Sequence, residues 1–206
     1  MPDHERNPAM NAVLQPRMTL QAYLDWENAQ VEKHELVGGE IFAMNGGRRT
    51  HGRVLGNLVR HLGNLLDGTP CQVFADSMKV QVGEDNILYP DVFVTCDKGD
   101  LSTDQIFQSP TPIIEVLSPS TQSYDRSKKF ALYRRLDSLQ EYILVDPESH
   151  RIEAFRRTPQ NEWVLRDMSD GATMDAASIG CQVALADVFQ GVEPLAEAPA
   201  GTAPSH

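Results

Sequence analysis

The chain has 206 residues, 41% of them hydrophobic and 23% charged, which fits one sizeable α/β or α+β domain and at most two small ones. No apolar run reaches the roughly 18 residues of a membrane span, and the polar stretch Met1 to Arg17 lacks the apolar core of a secretory leader. A net charge of −11 argues against a uniformly basic nucleic-acid binder, yet its distribution matters more than its sum. Arg48 to Leu66 holds four arginines (Arg48, Arg49, Arg53, Arg60) and no acid, and Asp125 to Arg135 holds five basic residues and one acid. Leu136 to His206 carries 12 acids against 4 basic residues, so the acidity is concentrated in the last third. The plain alternative is two solvated helix faces and an acidic C-terminal region. Cys71, Cys96 and Cys181 are far apart and odd in number, which fits reduced, buried thiols and a cytoplasmic setting.

In chain order, residues 1–17 are expected to be disordered, residues 18–190 to form the domain, and residues 191–206 to be a disordered tail rich in Ala and Pro. Thr19 can cap a helix running to about Gln30. His34 to Met44 reads as two short strands around Gly38-Gly39. Val54, Leu55, Leu58, Val59, Leu62, Leu65 and Leu66 repeat at helical spacing, Gly68 ends the run, and His51 lies on the same face one turn earlier. Strand signals follow at Cys71 to Ala75, Met78 to Val82, Ile87 to Tyr89, Val92 to Cys96 and Ile113 to Leu117. A helix over Asp125 to Leu136 leads into a strand at Tyr142 to Val145, a hairpin across Arg151 to Arg166, and a last strand near Val183. This order predicts an α/β, α+β-like fold: a mixed sheet flanked by helices, with extra hairpins.

Asp91 stands at the mouth of the apolar run Val92-Phe93-Val94, and Glu115 interrupts Ile113-Ile114-Glu115-Val116-Leu117, a run that should be buried on both faces. A buried carboxylate needs a partner. Two carboxylates meeting at one point make a hard-cation site suited to Mg²⁺. The bland reading is a turn aspartate and a glutamate paired with a basic group. Lys129, Leu132, Tyr133 and Leu136 stand at i, i+3, i+4 and i+7, so Lys129 shares the inward face, while Lys128 is rotated about 100° toward solvent. Asp125 reads as the N-cap of this helix.

Pro90-Asp91, then Glu115-Val116-Leu117-Ser118-Pro119-Ser120-Thr121, then Asp125-x-x-x-Lys129-x-x-x-Tyr133, then Glu141-Tyr142-Ile143-Leu144-Val145-Asp146-Pro147 resembles the Uma-two (Uma2) family. These are restriction-endonuclease-like proteins of the PD-(D/E)XK nuclease superfamily. Glu35 to Glu40 and His51 also resemble that family's N-terminal half. Leu117 stands where many superfamily members carry the catalytic lysine, and Lys129 fits a lysine moved to the next helix. The resemblance implies a restriction-endonuclease-like core and Mg²⁺-dependent phosphodiester hydrolysis, with Mn²⁺ as substitute and DNA as the expected partner. It implies Asp91, Glu115 and the Val116 carbonyl as metal ligands and Lys129 as the group that orients water or meets developing charge. Glu40 and His51 are weaker candidates, for a second metal or the nucleic-acid backbone. Arg48, Arg49, Arg53, Arg126 and Lys128 are expected to border the cleft, and a homodimer is expected to pair through Tyr142, Phe155 and Trp163. The competing class is a non-catalytic nucleic-acid-binding or interaction module that keeps the fold; a third reading has RNA or another phosphate ester as substrate.

Overall fold

The computed structural model describes residues 17–44 and 47–193. The stretches expected to be disordered lie mostly outside this range, in residues 1–16 and 194–206. Helix α1 (Leu20–Glu27) begins at Thr19, whose hydroxyl accepts the Ala22 N–H. Strands β1 (His34–Val37) and β2 (Glu40–Ala43) pair antiparallel around Gly38 and Gly39, whose φ values of +58° and +83° suit residues without a Cβ. Helix α2 (Arg49–Leu66) follows, then β3 (Gln72–Ala75), β4 (Lys79–Gln81), β5 (Asn86–Leu88), β6 (Val92–Thr95), β7 (Ile106–Phe107) and β8 (Pro112–Val116).

The next helical segment starts earlier than the sequence suggests. It comprises α3 (Gln122–Tyr124), a π turn over Asp125–Lys129, and α4 (Phe130–Tyr133). Asp125 therefore lies inside the segment and is not its N-cap; the preceding position is Thr121. Strands β9 (Glu141–Asp146), β10 (Arg151–Arg157), β11 (Trp163–Asp167), β12 (Thr173–Ala176) and β13 (Cys181–Ala184) and helix α5 (Leu185–Val188) complete the chain.

The central sheet has six strands in the order β11-β10-β9-β8-β6-β3, with β8 and β9 parallel and the other neighbours antiparallel. A second, five-stranded sheet runs β2-β1-β5-β4-β7, and β12 and β13 form a separate hairpin. Successive residues of β8 serve opposite faces. Ile114 and Val116 pack under α2, β13 and α5 with Val54, Leu58, Leu62 and Val183. Ile113 and Leu117 pack on the other side with Phe130, Tyr133, Tyr142 and the second sheet's Val80 and Leu88. This two-sided cover explains why all five residues of β8 are buried. It also fixes Glu115 on the same face as Ile113 and Leu117, toward the π turn.

Several expectations change. Leu65, counted in the apolar stripe of α2, is exposed, whereas Asn57 is buried in that helix. Val192, assigned to the tail, is buried in the core, so the folded domain extends past residue 190. Cys71 and Cys96 are not separate thiols but a disulfide, with Cα atoms 4.0 Å apart. The β3–β6 register pairs Gln72 with Thr95 and so sets the cysteines opposite each other one residue further out. Cys181 is free and buried. The cysteine count therefore gives no argument for a reducing compartment. Among the described residues, no helix is long and apolar enough to cross a membrane. Tyr142 is fully buried, and Phe155 and Trp163 pack against Phe130 within the monomer. Tyr142 therefore has no surface to offer a homodimer, which stays a proposal, whereas Val164 and Leu165 of the same segment are exposed.

Asn57 ties the C-terminal segment to α2: its Nδ2 donates to the Val188 and Gln190 carbonyls at 3.0 and 2.9 Å. Asn57→Ala leaves the buried Val188 carbonyl without its donor, while Gln190 keeps Arg53, and should cost about 1–3 kcal/mol in urea unfolding. An unchanged unfolding midpoint would show that this anchor is dispensable.

A candidate metal centre built around a buried lysine

The candidate centre opens into a cavity of about 360 Å³ where the two sheets, α2 and the π turn meet. Asp91, just before β6, receives the Val116 N–H on Oδ2 at 2.7 Å and lies 3.1 Å from His51 Nε2 through Oδ1. Its own N–H points to Glu115 Oε2 at 3.3 Å. The antiparallel neighbours β6 and β8 thus bring the two acids side by side. The helical spacing that starts at Arg49 sets His51 at the first turn of α2, facing them.

Lys129 closes the cluster. Its ammonium is 2.9 Å from Glu115 Oε1, 3.4 Å from Glu35 Oε1 and 3.9 Å from Asp125 Oδ1, and it donates to the Tyr89 carbonyl at 3.1 Å. Lys129 is buried and Lys128 exposed, as the rotation between adjacent helical residues requires. The π turn also places Asp125 inside, so an aspartate and a lysine four positions apart share one buried face. Single π turns of this kind recur at functional sites.

Burial alone would strip Lys129 of its proton, but Glu115, Glu35, Asp125 and Asp91 outweigh it and hold the ammonium charged far into the alkaline range. Burial pushes the Glu115 carboxyl well above the ordinary range, with Lys129 opposing and Asp91 and Asp125 adding to the rise. Asp125 is raised for the same first reason. Asp91 goes the other way. Burial works to raise it, but the contacts from His51, Lys129 and the Val116 N–H win and keep it below its usual value. The hydrogen bond to Asp91 in turn raises His51, against burial.

Fully ionised, the four carboxylates near Lys129 would exceed the positive charge of Lys129 and His51, and the upward shifts of Glu115 and Asp125 answer that excess with protons. Glu115 Oε1 is buried and faces the Lys129 ammonium at 2.9 Å, with no other polar partner among the described residues. Two adjacent carboxylates offering hard oxygen donors, one of them buried with only an ammonium as partner, fit a divalent cation such as Mg²⁺ or Mn²⁺. In the arrangement described, Lys129 and His51 engage these oxygens, and no group of three or more His, Cys, Asp or Glu side chains among the described residues is poised as a ready-made metal cage. The fit is therefore to two carboxylates completed by backbone, water or substrate oxygens, as Mg²⁺ sites commonly are.

The structure brings Asp91, Glu115, Val116, His51, Arg48 and Lys129 to one cavity. It does not bring Glu40 there: this residue is exposed at the turn end of the hairpin, and Glu35 is the β1–β2 acid at the site. Arg49, Arg53, Arg126 and Lys128 are not among the lining residues. Arg53 donates to the Gln190 carbonyl, and Arg126 pairs with Glu153 on β10. Even Arg48 reaches out to Glu148 at 2.9 Å. The sequence reading missed Glu35, whose carboxylate accepts the Tyr89 N–H and the Tyr124 hydroxyl at 3.2 and 3.0 Å. It also missed Tyr89, which carries both sides of this network. Glu35 was recoverable only as the acid facing inward in a four-residue strand.

A mixed α+β fold with acids and a lysine converging at the sheet junction is the restriction-endonuclease-like class. The chain belongs to the Uma2 family, described as "Putative restriction endonuclease", which it matches over residues 20–186. It is similar to the uncharacterised protein slr1290 of Synechocystis sp. (strain ATCC 27184 / PCC 6803 / Kazusa), at 36% identity over 178 residues, 86% of this chain and 94% of that one. A second protein of that strain, sll1609, is 30% identical over 154 residues, 73% of this chain and 87% of its own. Among solved structures, the fold matches that of a "putative nuclease belonging to DUF820" from Anabaena variabilis ATCC 29413 with a TM-score of 0.70, at 19% identity, covering 85% of this chain and 99% of that one.

Lys129→Met should cost about 3–5 kcal/mol, because it leaves buried acids without their cation. The loss should depend on pH. The folded value of Glu115 lies above its unfolded value, so its protonated form contributes stability that is complete below about pH 4.3 and is lost as pH rises through the folded value. Without the ammonium that value rises further, and the deficit measured by urea unfolding should be larger at pH 8 than at pH 5. An equal deficit at both would contradict the pairing.

Proposed function

We propose that the chain is a metal-dependent endonuclease that hydrolyses phosphodiester bonds in DNA. The observation that carries this reading is the Lys129 ammonium held 2.9 Å from the Glu115 carboxylate inside a cavity that also contains Asp91. Asp91, Glu115 and the Val116 carbonyl would hold Mg²⁺. When bound, such a cation supplies Lewis-acid chemistry and lowers the pKa of water.

The remaining work falls to the chain's own residues. Lys129, charged throughout the physiological range, is placed to orient the attacking water and to meet negative charge on the phosphoryl oxygens. The Tyr89 carbonyl and the carboxylates of Glu35 and Asp125 fix where that ammonium points. His51 and the Val116 N–H hold the Asp91 carboxylate in one orientation and in its ionised form. Arg48 lies at the rim, where it can meet the strand's backbone.

The family membership and the fold support the reaction class; the donor set supports the metal. Calorimetric titration with Mn²⁺ should show binding to the wild type that is lost in the Asp91→Ala, Glu115→Ala double variant. Lys129→Ala should abolish cleavage while retaining metal binding, and Lys128→Ala should do no more than weaken nucleic-acid affinity. Equal losses of cleavage in the two lysine variants would overturn the role given to Lys129. Binding of no metal by the wild type would favour a non-catalytic module that keeps the fold.

A further inference from the structure

We propose that Phe42 is a stacking platform for an unpaired nucleobase, so that the strand presented to the metal centre is single-stranded or locally opened. This inference rests on the nuclease reading of the same cavity and names its substrate class. The β1–β2 register pairs Glu35 directly with Phe42. Residues opposite each other in an antiparallel pair project from the same face, with Cβ atoms about 5 Å apart. Glu35 points at Lys129, so Phe42 stands beside the catalytic cluster and over the cavity, which it lines together with Ala43 and Met44.

Phe42 is nevertheless 49% exposed, on a strand at the edge of the five-stranded sheet. Its ring has no core to fill. The same cavity is poor in the groups that grip a duplex backbone. Arg48 is its one lining arginine among the described residues and is paired with Glu148, while Arg53 and Arg126 are engaged elsewhere. Duplex binders gain affinity by neutralising several phosphates with Lys and Arg. Base stacking on an aromatic side chain adds about 1–3 kcal/mol per base, and the exposed Phe42 face beside the cavity is where it can act. An unpaired base on Phe42 would set its adjoining phosphodiester toward Asp91, Glu115 and Lys129.

The test uses the full chain, Ca²⁺ in place of Mg²⁺ to suppress hydrolysis, and fluorescence anisotropy with three labelled probes: a short oligothymidylate, an abasic strand of the same length, and a duplex of that length. The wild type should prefer the oligothymidylate to the abasic strand by about 5- to 150-fold, the equivalent of about 1–3 kcal/mol for one stacked base. Phe42→Ala should erase that preference, and Phe42→Trp should restore it. Retention of the preference in Phe42→Ala, tighter binding of the duplex than of the single strand by the wild type, or binding of none of the probes would each overturn the inference. Mn²⁺ titration of the same proteins separates the two proposals. Metal binding intact in Phe42→Ala with no base preference in the wild type sinks the stacking role alone, whereas a base preference without metal binding sinks the nuclease reading and leaves Phe42 as a binding residue.

Discussion

An ammonium taken out of water must be surrounded by negative charge, and negative charge taken out of water must be surrounded by something positive. The junction of the two sheets satisfies both demands with Lys129 at its centre and Glu115, Glu35, Asp125 and Asp91 around it. With all four carboxylates ionised the cluster would carry surplus negative charge, which the raised Glu115 and Asp125 values answer with protons and which a divalent cation would answer in their place. The opposite displacements of Glu115 and Asp91 express the same fact. One acid is deep and tends to hold a proton, while the other is kept ionised by His51, Lys129 and a backbone N–H. A cation entering the cavity would complete the balance that protons otherwise supply.

The architecture exists to hold this cluster still. β8 is covered on both faces, so Glu115 cannot swing out without exposing the apolar residues on either side of it. β6 sets Asp91 against β8 through a backbone contact in each direction. The π turn carries Lys129 and Asp125 onto one face, and Phe130 and Tyr133 below it anchor the turn by stacking near Tyr142. Tyr89 links the two sheets: its carbonyl holds Lys129, its N–H holds Glu35, and its hydroxyl donates to the buried Glu27. Sites held by packed strands and helical turns in this way are more precise than sites built on loops.

What was legible in the sequence follows from what each signal depends on. Glu115 was conspicuous because a charge in an apolar run demands an explanation that involves no other part of the chain. Lys129 over Lys128 followed from helical rotation, again a local property. Glu35 was not legible as a site residue, because its role depends on how β1 sits beside β5 and the π turn, and a strand of four residues shows too little alternation to choose a face. The Cys71–Cys96 bond depends on the β3–β6 register in the same way. Arg53 and Arg126 looked like cleft residues from charge alone, but a long side chain goes to the nearest acceptor, and those acceptors are the Gln190 carbonyl and Glu153. The missed β12 and α5 are short elements stabilised by the apolar face of α2 rather than by their own pattern.

The central claim is that Asp91 and Glu115 together hold a divalent cation beside a charged Lys129. Diffraction from crystals soaked in Mn²⁺, with data collected to bring out the anomalous signal of manganese, tests it most directly. A manganese peak is expected within coordination distance of both the Asp91 and the Glu115 carboxylates, with the Lys129 ammonium adjacent but not a ligand. A cavity without manganese, in which Lys129 still occupies the Glu115 carboxylate, or manganese bound only elsewhere on the chain, would contradict it.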